Sequence, residues 1–151
     1  MTKISDGDTI KVSFNDEEVK VRLLEVDTFE VYNSKSMDAD IRQFNLSKNQ
    51  LKDLGKTGSD FTKSLIHKGD LIFLSFSGKR TGYYGRMLAF VHLADGRVLN
   101  EELIKSGAAL VYRSRSGRTP FHSEYLQLEQ TARNQSRGVW ANDQVQRYYN
   151  R

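Results

Sequence analysis

Two short apolar stripes near the start of the chain restrict its fold more than any other feature. Ile10, Val12 and Phe14 fall on one side of residues 9–14, and Val19, Val21 and Leu23 repeat the pattern after the polar cluster Asn15-Asp16-Glu17-Glu18. A period of two, interrupted by turn formers, predicts a β-hairpin with one buried face. Apolar runs at 71–76, 86–93 and 109–112 predict further short strands, and Asp95-Gly96 predicts a tight turn before Arg97-Val98-Leu99. Between these runs the period changes. Phe61, Leu65 and Ile66 have helical spacing over 57–67, with Lys68-Gly69-Asp70 as the stop. Asn100 is placed to cap a short helix through Ser106 that Gly107 ends. Pro120 stands near the start of a third helix, about 121–136, with Tyr125, Leu128 and Ala132 as its stripe. Residues 31–56 are polar and mixed with no clear period, which predicts a long loop holding at most a turn of helix. Short strands with interposed helices give an α+β chain. The arrangement expected for it is a five-stranded OB-fold β-barrel with three helices, its first strand short on the N-terminal side.

At 151 residues the chain has the length of one domain, 1–151, and can bury a core without staples. It has no cysteine, which excludes a disulfide framework, a thiolate metal site and a cysteine nucleophile. No apolar run approaches the roughly 18–20 residues of a membrane span. The start, Met1-Thr2-Lys3-Ile4-Ser5-Asp6, has no apolar signal region, so either the chain stays where it is made or a leader has been removed. Charge is uneven. Residues 1–75 hold 11 Lys/Arg against 13 Asp/Glu, and 76–151 hold 12 against 6. Lys105, Arg113, Arg115 and Arg118 occupy a stretch with no acid. An acidic first half and a basic second half suit a polyanionic partner that also needs a metal ion, with a solvated basic face as the plainer alternative.

The first hairpin carries the chemistry. Asp6-Gly7-Asp8-Thr9 opens one strand, and Arg22-Leu23-Leu24-Glu25-Val26-Asp27-Thr28-Phe29-Glu30 closes the next. A turn centred between Asp16 and Glu17 places Asp8 opposite positions 25 to 27, so Asp8 and Asp27 are expected to meet. Two carboxylates at about 4 Å, with an effective dielectric near 20, repel by roughly 4 kcal/mol. A shared proton, a cationic side chain or a metal ion must offset this. Oxygen ligands without a histidine suit Ca²⁺ or Mg²⁺ better than zinc. Glu30 stands three residues past Asp27, where a carboxylate can orient or deprotonate water. Arg22 runs toward the same end, where its fork fits a phosphate; pairing with Glu25 or Asp27 is the plainer role. A second cluster, Lys79-Arg80-Thr81-Gly82-Tyr83-Tyr84-Gly85-Arg86, places an arginine at a strand start beside two tyrosines, a plausible phosphate-and-base site. His67, His92 and His122 are scattered and read as structural or surface residues. Trp140 reads as a core plug.

These segments together resemble the staphylococcal nuclease (thermonuclease, SNase-like) family. The resemblance covers most of the chain and rests on Asp6-Gly7-Asp8-Thr9, Arg22-Leu23-Leu24, Val26-Asp27-Thr28, Glu30, Tyr84-Gly85-Arg86, Ala94-Asp95-Gly96, Asn100-Glu101 and Gly138-Val139-Trp140. No one of them is specific; their order and spacing are. The resemblance implies an OB barrel with three helices and Ca²⁺-dependent hydrolysis of phosphodiester bonds in DNA and RNA. It implies Asp8 and Asp27 as calcium carboxylates and Thr28 as a main-chain carbonyl ligand. It implies Glu30 as the residue that positions or deprotonates water, and Arg22 and Arg86 as the arginines that bind phosphate and stabilise charge. Tyr84 corresponds to a phosphate contact, and Tyr83 stands beside it where the prototype has lysine. Tyr112, Arg113 and Arg115 are carried as further substrate contacts; the two arginines fall where the prototype sets aromatic residues against the base. Phe29 replaces a usual proline, and 31–56 has no alignable equivalent. Relatives are often secreted or on the cell surface, and a monomer is expected. Degenerate relatives that bind nucleic acid without cutting typically lose a carboxylate or an arginine. The complete set here favours an enzyme over such a module and over a purely structural domain.

Overall fold

The computed structural model describes residues 1–29, 35–78, 81 and 85–149, with only the main chain described for Ser36 and Ser116. Strands β1 (Lys3–Asp6), β2 (Thr9–Phe14) and β3 (Glu17–Leu23) form an antiparallel meander. Asn15 and Asp16 both take positive φ, 51° and 63°, the backbone of a two-residue primed turn whose twist matches the strands it joins. This turn lies one residue earlier than the sequence suggests. Thr9 therefore pairs with Arg22, and the Asp8 carbonyl accepts the Leu23 N–H at 2.9 Å. Asp8 thus meets position 23, two places before the expected 25. Ile10, Val12, Val21 and Leu23 all remain buried, as the alternation requires.

After β3 come β4 (Val26–Asp27), β5 (Phe73–Ser75), β6 (Met87–His92) and β7 (Leu110–Val111). The main sheet runs β1-β2-β3-β6-β5, with β3 and β6 parallel, and β4 pairs separately with β7. Among the described residues this sheet is five-stranded but not closed. Ahead of β5 the Met1 main chain bonds to the Gly69 N–H and the Asp70 carbonyl. Strand β5 is shorter than the expected 71–76, and Leu71 and Phe73 are exposed there.

The helices depart furthest from expectation. Among the described residues five are present where three were predicted: α1 (Lys35–Phe44), α2 (Lys48–Leu65), α3 (Leu99–Lys105), α4 (His122–Asn134) and α5 (Asp143–Tyr149). The predicted loop at 31–56 is largely α1 and the first half of α2. Ser47 and Gln50 form a reciprocal capping box that starts α2 nine residues before the predicted helix. Asn100 does not cap α3, which Val98 precedes without a side-chain cap. It is fully buried instead. Its amide donates to the Leu24 and Ala89 carbonyls at 2.9 and 3.1 Å and accepts the Val91 N–H at 2.9 Å, tying β3, β6 and α3 together.

Two apolar cores result. One lies between the sheet and α2, α3 and α4, around Ile10, Val21, Leu99 and Leu103. The other collects Phe29, Met37, Phe44, Leu51, Leu110, Val139, Trp140 and Val145. Trp140 is fully buried, as expected. Phe29 meets Phe44 edge-to-face with centroids 5.3 Å apart, which anchors the unpredicted helix α1 to the segment after Asp27.

Candidate active site

The site forms where β2 begins and β4 follows β3. Gly7 makes room for it: a Cβ there would lie 2.7 Å from Thr28 Cγ2 and 2.9 Å from the Gly58 carbonyl carbon. Gly58 in α2 is equally confined, 2.9 Å from Thr28 Cγ2. Thr62 Oγ1 donates to the Gly7 carbonyl at 3.0 Å. Helix α2 therefore presses the Gly7 turn against Thr28, and only glycine permits that approach.

Asp8 is buried. Its Oδ2 accepts the Thr28 N–H at 3.0 Å and faces Arg22 Nη2 at 3.4 Å, while Oδ1 accepts the Thr9 hydroxyl at 3.1 Å. The Asp6 carboxylate in turn accepts the Asp8 N–H at 3.2 Å. Burial pushes the Asp8 carboxyl upward, but the Arg22 guanidinium, the Asp6 side chain and Thr28 outweigh it and hold it below the ordinary aspartate value. Asp27 is half exposed, and its Oδ1 stands 3.9 Å from Arg22 Nη2. Arg22 is itself fixed: Nη1 donates to the Leu23 and Val26 carbonyls at 2.8 and 2.6 Å. One guanidinium thus lies between both carboxylates, and it pairs with Asp8 and Asp27, not Glu25.

Arg86, half-buried, immediately precedes β6. Val21 pairs with Met87 and Arg22 with Leu88, so the register sets Arg86 on the Arg22 side of the sheet. Tyr112 follows β7, and its ring lies 5.6 Å from the Arg22 guanidinium carbon. Arg115 is exposed, in a 3-10 turn over Arg115–Gly117. Arg113 faces elsewhere. Its guanidinium pairs with the buried Glu129, which also accepts the Val111 N–H at 2.7 Å, and lies 4.2 Å over the Tyr149 ring. Glu30, Tyr83 and Tyr84 lie outside the described residues.

The carboxylates gathered here, Asp8 and Asp27 on Arg22 and Asp6 on the Asp8 N–H, are hard oxygen donors. That chemistry fits a hard divalent cation. Among the described residues no three acidic or histidine side chains form a ready-made cage, so such an ion would complete its shell with main-chain oxygen and water.

Three further residues border the site without any sequence signal. A small cavity of about 80 Å³ is lined by Asp27, Thr28, Asp40, Gln43 and Tyr149, among others. Asp40 comes from α1, a helix whose existence the sequence pattern hid. Burial pushes its carboxyl up to about 6. An acid raised in the folded state stabilises the fold at low pH and loses that contribution as pH rises from about 4 through 6. Asp40→Asn is therefore expected to raise Tm by about 2 °C at pH 8, without divalent ions, and to leave it unchanged at pH 4. Thermal melts at the two pH values check this; an equal shift at both would mean that burial of the charge is not the cause.

Residues 20–142 match the staphylococcal nuclease homologue family. The chain is 31% identical over 136 residues to the SPbeta prophage-derived endonuclease YokF of Bacillus subtilis, covering 90% of this chain and 41% of that protein. It is 32% identical over 136 residues to endonuclease YncB of the same organism, covering 90% of this chain and 58% of YncB. An uncharacterized endonuclease of Escherichia coli O157:H7 is 28% identical over 143 residues, covering 93% of this chain and 75% of that protein. The chain thus spans about half the length of the two Bacillus proteins. On the match over residues 20–142, this chain belongs to the staphylococcal nuclease homologue family.

Proposed function

We propose that this chain is a calcium-dependent phosphodiesterase that hydrolyses DNA and RNA, a single nuclease domain over 1–151 built on a partly open OB-type barrel. The observation that carries this reading is the gathering of Asp8, Asp27 and the Thr28 main chain around one fixed guanidinium, Arg22. Kinship with proteins named endonucleases supports it.

Asp8, Asp27 and the Thr28 carbonyl would hold the ion. When bound, it supplies positive charge at the phosphate oxygens. Arg22 spends one terminal nitrogen on two carbonyls and turns the other toward the carboxylates, so it is locked before substrate arrives. A donor fixed in advance costs no reorganisation when negative charge develops on the phosphate. Arg86 approaches from the same sheet face as a second donor. Glu30 orients the attacking water and accepts its proton. Tyr83, Tyr84, Tyr112 and Arg115 contact the nucleotide chain to either side. Arg113, its charge matched by Glu129, is not assigned a substrate contact.

Purified protein is expected to degrade plasmid DNA and RNA in the presence of calcium. Glu30→Gln should lower turnover by about 100-fold or more at unchanged melting temperature. Full activity in that variant would require a different base, and binding without cleavage by the wild type would make the chain a nucleic-acid-binding module instead.

A further inference from the structure

Glu25 stands in the turn between β3 and β4, two residues before Asp27, with φ +65°, a conformation that L side chains rarely adopt. Glycine would occupy it without strain. The glutamate side chain is nevertheless fully buried, and its bonds show what holds it there. Oε2 accepts both the N–H and the hydroxyl of Thr119 at 2.8 Å, and Oε1 lies 2.6 Å from His122 Nδ1. The Glu25 carbonyl accepts the Tyr112 N–H at 2.9 Å. One residue therefore grips both ends of segment 112–119. Between those ends stand Arg113, Arg115 and Arg118, with Arg115 and Arg118 exposed. The segment also folds back on itself: a Cβ on Gly117 would lie 2.4 Å from Tyr112 Cδ1. Tyr112 in turn meets Arg22.

We propose that Glu25 is a positioning residue for polynucleotide binding. By clamping Thr119 and His122 from the turn that also delivers Asp27, it fixes the height of the basic segment 112–119 beside the carboxylates. A segment tied at both ends is already ordered when a nucleic-acid strand lies across it; released at one end, it must be ordered on binding, and affinity falls. A strained backbone stabilised by its surroundings is often found where position matters to function. The proposal rests on the nuclease reading above.

The test uses Glu25→Gly, which relaxes the backbone at φ +65°, together with Glu25→Gln and Thr119→Ala, which weaken the clamp while keeping its shape. The probes are a fluorescent 20-nucleotide single-stranded DNA, read by anisotropy in the presence of calcium chelator, and steady-state cleavage of the same strand with calcium. In Glu25→Gly, Kd and KM are expected to rise about tenfold while kcat stays within about twofold, with smaller rises in the other two variants. A merely structural residue would lower Tm without this split. Wild-type Kd and KM in all three variants, or a fall confined to kcat, would overturn the proposal alone. A wild-type chain that neither binds nor cuts the strand would overturn the nuclease reading and this proposal with it.

Discussion

Arg22→Lys is expected to give a folded protein that cleaves nucleic acid about 100- to 1,000-fold more slowly, the usual cost of losing one fixed transition-state donor. Arginine here makes two hydrogen bonds to the Leu23 and Val26 carbonyls and still directs Nη2 between Asp8 and Asp27. A lysine ammonium is a single point on a flexible stem and cannot span those partners at once. It does keep the positive charge beside buried Asp8, so stability should change little. Arg22→Ala removes that charge as well and is expected to destabilise the fold by about 3–5 kcal/mol, the cost of leaving a buried partner uncompensated. The sign with pH follows from Asp8, whose carboxyl is held below its ordinary value. A depressed acid contributes stability above its unfolded value, near 4, and loses it as pH falls through the folded value. The gap between wild type and Arg22→Ala should therefore be full at pH 7 and close in strong acid. Initial rates and urea melts at both pH values measure this. Wild-type kcat in Arg22→Lys would reduce Arg22 to a structural residue.

The second large effect separates the ion from the fold. Asp27 is half exposed, so Asp27→Ala is expected to change stability by no more than about 0.5 kcal/mol. Cleavage should nevertheless fall about 1,000-fold or more, because the charge an ion supplies at phosphate is worth several kcal/mol. In the wild type a chelator should abolish cleavage and added calcium restore it. In the variant, calcium should fail to restore it, and calorimetric titration should show weakened calcium binding. Cleavage that persists in excess chelator would remove the metal from the mechanism whatever the variant does.

How much of this was legible beforehand differs by element. The hairpin was readable because burying Val19, Val21 and Leu23 on one face fixes its register to within a turn residue or two. The turn was misplaced because Asp16-Glu17 looks as polar as Asn15-Asp16; only the positive φ at both latter residues decides between them. The first half of α2 was hidden for a different reason. The face of α2 that packs on the site carries Gly55, Gly58 and Ser59, all buried and all small. Gly58 is small because Thr28 comes so close, and it interrupts the apolar stripe that Leu51 and Leu54 begin and Phe61 and Leu65 continue. Helix α5 and its Tyr149 fell outside every sequence pattern used, yet Tyr149 lines the cavity beside Asp27.

The sequence by itself determined the β2–β3 hairpin, to within two positions of its register, and the set of acids and arginines the chain carries. Hairpin pairing is local, and one face must be apolar, so few registers survive. Tertiary structure alone decided which charge meets which. Glu25 passes over neighbouring Arg22 for Thr119 and His122, 94 and 97 residues away, and Arg113 turns from the cleft to Glu129. A buried charge takes whatever partner packing brings within hydrogen-bond reach, since none nearby in sequence can be exchanged for water once the core has closed.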